Sequence, residues 1–200
     1  MISWLLELLL RKAGVNIIRK EEILNVARRY FFINAFDGLM ISLGVLLGGY
    51  FGGGVSRGLL FALIGSVIAM GLSGFFGAYV SERAERLKVI KETENQIYTD
   101  LSGTKYETQL LKASALIAFV DASAPVLSSL PAIVFLLLNY IGILGWEVSV
   151  FSAFGVSLLL LMFLGYELGK MSGEKPLIYS ISLLFLGLLL AFITLILGGV

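Results

Sequence analysis

The stretch FFINAFDGLMISLGVLLGG, residues 31–49, has the apolar density of a membrane span and carries one charge, Asp37. A helix crossing ~30 Å of hydrocarbon needs about 20 largely apolar residues. A carboxylate at the bilayer centre costs roughly 2.5 to 3.5 kcal/mol on insertion scales. At about 1.5 Å of rise per residue, Asp37 stands roughly 10 Å along the span. Such residues mark ion or substrate paths by default. The alternative is a structural acid that caps or hydrogen-bonds a neighbouring helix. Asn34 and Met40 lie three residues to either side, near its face. Gly44 and Gly48 continue that stripe, a spacing that also suits close helix packing.

The rest of the chain agrees with the span. Of 200 residues, 58% are hydrophobic and 14% charged, and the mean hydropathy is strongly positive. A soluble domain of this length has no place to hide so much apolar surface. The chain has no cysteine and no histidine. Disulfide frameworks, thiol nucleophiles, Ser–His catalysis and the commonest zinc sites are therefore excluded, and no resident cofactor or enzyme activity is expected. A net charge of +1 gives no electrostatic footprint for nucleic acid. The class is all-α, an integral membrane protein.

Five stretches qualify as spans: residues 31–51, 58–80, 116–143, 148–168 and 177–197. Residues 1–30 read as a segment beginning with an amphipathic helix on the membrane surface. The opening MISWLLELLL resembles a signal core but lacks the basic start and small-residue cleavage site. Residues 31–80 hold the first two spans, 81–109 a charged helical insert that extends the second, and 110–200 the last three. Every Lys and Arg but Arg57 falls in the N-terminal segment, in or at the edge of the insert, or in the link between the last two spans. The positive-inside rule then places the N-terminus and the insert in the cytoplasm and the C-terminus on the opposite side, in the cell membrane if the source is a prokaryote.

Other polar residues sit at membrane depth. Asp121 lies in ALIAFVDASAPVLSSLPA, where Pro125 and Pro131 remove backbone donors one turn after the carbonyls they would serve. Ser123, Ser128 and Ser129 are placed to compensate, or the freed carbonyls line a cation path beside Asp121. Glu167 is near enough to a span end to reach the interface. In span 2, Ala69, Ser73 and Gly77 form a small-xxx-small track suited to tight packing, and Met70 offers a thioether beside it. Beyond it, Glu82, Glu85, Glu92 and Glu94 alternate with Arg and Lys. They read as a solvated helix face with i,i+4 pairs or as a weak acidic collector for metal.

N-A-F-D-G-L in span 1, G-A-Y-V-S-E-R-A-E at the end of span 2 and A-P-V-L-S-S-L-P in span 3 resemble the vacuolar iron transporter family, with G-Y-E-L-G-K in span 4 fitting more loosely. The resemblance covers residues 22–200. It implies a homodimer that moves ferrous iron, and often manganese, out of the cytoplasm in exchange for protons. Asp37 would line the path as the central ligand; beside the resemblance, Met70 and Asp121 are second-rank metal candidates from their own placement, Glu82 and Glu85 a weak collector, and Asn34, Met40 and Gly44 lie along the path. The family reads S-M-A-x-G-E-Y-V-S in span 2, where this chain reads S-G-F-F-G-A-Y-V-S. Gly74 and Ala78 thus replace a methionine and a glutamate, and the insert is shorter than the family's glutamate-rich domain. Two other readings stand beside the transporter. One is a family member that has lost transport and serves as a scaffold or metal-binding regulator. The other is an intramembrane aspartyl protease using Asp37 and Asp121, which lacks the G-x-G-D setting of such enzymes.

Overall fold

The structure is a computed structural model that describes residues 20–198. Five helices account for nearly all of them: α1 (Lys20–Phe51), α2 (Ser56–Ile97), α3 (Lys105–Tyr140), α4 (Trp146–Ser172) and α5 (Pro176–Gly198). There is no strand among the described residues. All five are long and apolar enough to cross a membrane, which marks an integral membrane protein. The opening stretch expected to form an amphipathic helix, with Arg11, Lys12 and Arg19, lies outside the described residues.

Helix ends follow hydrogen bonding rather than hydropathy, so they differ from the expected spans. α1 begins at Lys20, with Glu21 and Glu22 in its first turn, where acids suit the helix dipole. Residues 20–30 are therefore the start of the first spanning helix, not a separate element. α1 stops in a glycine turn in which the Gly52 N–H donates to the Gly48 carbonyl at 2.9 Å, and Gly53 takes φ 68°. α2 runs 42 residues, about 60 Å at 1.5 Å per residue, twice a hydrocarbon core. It carries straight into the charged insert, as expected, and ends where Tyr98 takes φ 53°.

The turn to α3 is capped by acids. The Leu101 N–H donates to Glu94 Oε1 (2.9 Å), the Ser102 N–H to Asp100 Oδ1 (2.8 Å) and the Gly103 N–H to Glu107 Oε2 (2.6 Å). The Glu107 N–H donates to Thr104 Oγ1 at 3.3 Å, so the Thr104 and Glu107 side chains together close the start of α3. α3 continues through both prolines to Tyr140, three residues short of the expected span. Gly142 at φ 80° turns the chain there, and Asn139 Nδ2 donates to the Leu144 carbonyl at 2.8 Å.

The helices divide between two compact units, residues up to 33 with 71–123 and residues 34–70 with 124 onward. In the first, Ile23 and Ala27 of α1 pack against Ala113, Ile117 and Val120 of α3. In the second, Leu46 of α1, Leu59, Leu60, Leu63 and Val67 of α2, Ala132 and Leu136 of α3 and Ala153 of α4 form one cluster, and Leu39, Leu43 and Leu161 another. The last helix of the second unit, α5, is built inside out. The buried residues of α5 are Ser180 and Gly187, while Leu177, Ile181, Phe185 and Phe192 are exposed. Lipid tails are as apolar as leucine, so helices associate in them through small residues and polar contacts. Gly165 and Gly169 of α4 accordingly meet Tyr179, Ser180 and Pro176 of α5 at backbone distance, and Ser180 Oγ donates to the Met162 carbonyl at 2.7 Å.

Candidate functional site

Asp37 and Gly38 are neighbours with opposite tasks. A Cβ at Gly38 would lie 2.8 Å from Pro125 Cα and would collide with Ser128 Oγ, so only glycine lets α1 approach α3 this closely. The Gly38 carbonyl accepts from Ser42 Oγ (2.8 Å) and, across the helices, from Ser129 Oγ (3.1 Å). With about 3.6 residues per turn, anchoring Gly38 inward turns Asp37 outward. Asp37 is exposed, and no hydrogen bond or ion pair holds it among the described residues. Asn34, Met40 and Gly44 are half-buried beside it, and Gly48 is exposed further along. A Cβ at Gly44 or Gly48 would meet nothing within 4 Å. Asp37, Gly44 and Gly48 therefore lie on an open side of α1, whereas Met40 packs against the cluster of Leu39, Leu43 and Leu161. The track at Ala69, Ser73 and Gly77 is exposed as well among the described residues.

The serines of α3 bond to carbonyls other than those of Asp121 and Leu127, which the two prolines leave without their helical donors. Ser123 Oγ donates to the Val120 carbonyl (2.8 Å) and Ser128 Oγ to the Pro125 carbonyl (3.2 Å). Ser129 serves α1 instead.

The first unit holds Asp121, Glu82 and Glu85. Asp121 is 2% exposed. Its carboxylate lies against the Gly74 backbone of α2, where an added Cβ would stand 2.8 Å from Asp121 Oδ2. Ala78, one turn on, is also buried. Towards the insert, Arg86 is 2% exposed and bridges two helices: its guanidinium donates to Glu22 Oε1 of α1 at 3.3 Å and to Glu82 Oε2 at 3.4 Å. The Tyr30 hydroxyl is within hydrogen-bonding reach of Ser81 and Glu82. Glu82 is thus buried in an ion pair rather than presented to solvent, while Glu85 is exposed. Glu94 is engaged as a backbone cap.

The residues singled out from the sequence are distributed as follows. Asn34, Asp37, Met40, Gly44 and Met70 belong to the second unit; Asp121, Glu82 and Glu85 belong to the first. Met70 is half-buried, one turn before Gly74 on the same helix. Among the described residues, no three acidic side chains converge into a group able to hold a metal ion. Sequence reading missed Gly38, Glu22 and Arg86. The E-x-x-x-R spacing of Glu82 and Arg86 was a usable signal for an i,i+4 pair, but nothing local announces that Glu22 completes it.

No family model matches the chain, and no solved structure matches it. It is similar to an uncharacterized protein of Methanocaldococcus jannaschii, MJ0645, with 27% identity over 178 residues, 86% of each chain.

Proposed function

We propose that this protein is a homodimeric membrane transporter that exports a divalent metal ion, Fe²⁺ or Mn²⁺, from the cytoplasm in exchange for protons, as its resemblance to vacuolar iron transporters implies. The observation that carries this reading is the outward setting of Asp37. A carboxylate on the bare face of a spanning helix is costly in lipid, and a second copy of the chain relieves that cost by covering it. Gly44 and Gly48, with open space over their Cα atoms, suit a close helix crossing there. Two Asp37 carboxylates brought towards one axis repel each other, and a divalent cation or a proton between them removes the repulsion. Oxygen ligands with a nearby thioether from Met40 or Met70 fit a borderline cation such as iron(II) better than magnesium. The amphipathic N-terminal segment and the insert lie on the cytoplasmic side in this reading, and the insert contributes Glu85 to cation capture while Glu82 stays with Arg86.

The test is flux in proteoliposomes with a metal-sensitive dye inside and a pH probe in parallel. Wild type moves Fe²⁺ or Mn²⁺ with opposing proton movement, and Asp37→Asn loses both. A dimeric, folded protein that moves none of Fe²⁺, Mn²⁺, Co²⁺ or Zn²⁺ ends the transporter reading. Gly74 and Ala78, which cannot ligate through a side chain, favour the scaffold reading in that event.

A further inference from the structure

Among its last three helices the second unit carries an apolar groove of about 610 Å³. Phe135 of α3 and Leu184 of α5 line it together with Ser152, Gly155, Leu159 and Met162 of α4. Gly155 keeps it open, since a Cβ there would meet nothing within 4 Å. The length of the groove is set by α4. Ser152 and Met162 are ten residues apart, about 15 Å of helix, which is half of a ~30 Å hydrocarbon core. α4 has 27 residues and begins at Trp146, a residue type that favours the membrane–water interface. Ser152 therefore stands close to one hydrocarbon boundary and Met162 near the midplane. The groove has the length of the chains of a single leaflet.

Its section decides between occupants. Spread over ~15 Å, the volume corresponds to a channel of about 40 Å² in section. A helix about 10–12 Å across needs at least about twice that, whereas a hydrocarbon chain is thinner and fits. One polar group then orients the chain. Ser157 Oγ, Ser182 Oγ and Thr194 Oγ1 each donate to the carbonyl one turn back, at 2.8, 2.9 and 2.8 Å. No hydrogen bond holds the Ser152 hydroxyl among the described residues. A hydroxyl left against hydrocarbon without a partner is costly, and at this depth the ester carbonyl of a glycerophospholipid supplies one. We propose that the groove is a lipid-binding site: it seats an acyl chain from the leaflet at the Trp146 end of α4, with the ester carbonyl accepting from Ser152 Oγ and the chain running over Gly155 to Met162. The site is independent of the exchanger reading.

The experiment reconstitutes the full chain in vesicles of dioleoylphosphatidylcholine, extracts it into detergent and counts retained phospholipid by native mass spectrometry. Wild type is expected to keep one phospholipid per chain, and Gly155→Phe, which fills the groove, to lose it. Gly65→Phe, on α2 where a Cβ also meets nothing within 4 Å, keeps it. Ser152→Ala removes one hydrogen bond and lowers retention about two- to ten-fold. Wild type alone supplies a second measurement, with phosphatidylcholine carrying a diazirine on its acyl chain and irradiated after the detergent wash. A diazirine at the chain end is expected to mark the peptide around Met162, and one beside the ester the peptide around Ser152. No retained phospholipid in folded wild type overturns the proposal, as do equal retention in Gly155→Phe and adducts spread evenly over all the helices. A wild type that keeps no lipid, with association of two chains lost in Gly155→Phe, gives the groove to a second copy and overturns the proposal as well.

Discussion

Gly38, Gly44 and Gly48 lie on one helix and answer to different neighbours. The first meets Pro125 backbone, and the other two meet open space. Overpacking a tight contact costs about 1 to 3 kcal/mol, so Gly38→Ala is expected to lower the thermal midpoint of the purified protein measurably in detergent. Gly44→Ala leaves that midpoint unchanged and weakens association of two chains, read by light scattering. Equal thermal loss in both variants removes the distinction drawn between the inward and outward faces of α1. The sequence made the Asp37 stripe legible because helical spacing alone defines it. It did not reveal the pairing of Gly74 with Asp121, because the contact joins residues far apart in the chain and glycine leaves no chemical trace of what fills its space.

At the scale of elements, the apolar runs announced all five helices, yet their ends moved. A span reading follows the hydrocarbon boundary, whereas a helix continues until its hydrogen bonds are diverted, as by Gly53, Tyr98 and Gly142. The insert reads as a charged surface in sequence, but its acids are mostly spoken for. Hydrogen bonds from Ser102 hold the Asp100 carboxyl below its ordinary range. That bond's stabilisation is present above the unfolded carboxyl value and lost as pH falls through the lowered folded one. Arg86 matters more, because it ties the start of α1 to α2 through Glu22 and Glu82. Removing one member of a buried ion cluster costs about 3 to 5 kcal/mol, and the half-exposed side chain of Glu22 places Arg86→Gln towards the lower end. The expected result is faster amide hydrogen exchange in residues 20–30 and 82–97, with exchange in α4 and α5 unchanged. Arg86→Lys restores the charge but not the two-pronged geometry, so it should fall between. Unaltered exchange in Arg86→Gln would show that the cluster does not hold the two helices together.

For the whole molecule, the direction of the proposed transport depends on which end of α2 faces the cytoplasm. The Lys and Arg distribution is legible in the sequence and underlies the proposal that the insert lies inside; the proposed cover over Asp37 is not legible, because a partner surface is written in no single helix. Both points yield to one set of variants, since the chain has no native cysteine and an introduced one reports alone. Tyr98 at the end of α2 is 95% exposed, and Ile143 in the turn between α3 and α4 is 66% exposed. A membrane-impermeant maleimide added to intact cells is expected to label Ile143→Cys, and to label Tyr98→Cys only after the membrane is opened. Oxidation of Gly48→Cys, on the outward stripe of α1, should yield a species of twice the chain mass, and Gly155→Cys on α4 should not. The reversed labelling pattern would turn the proposed exporter into an importer with the same site. Failure of Gly48→Cys to cross-link, in protein that labels normally at Ile143→Cys, would leave the Asp37 carboxylate facing lipid and remove the dimer from the mechanism.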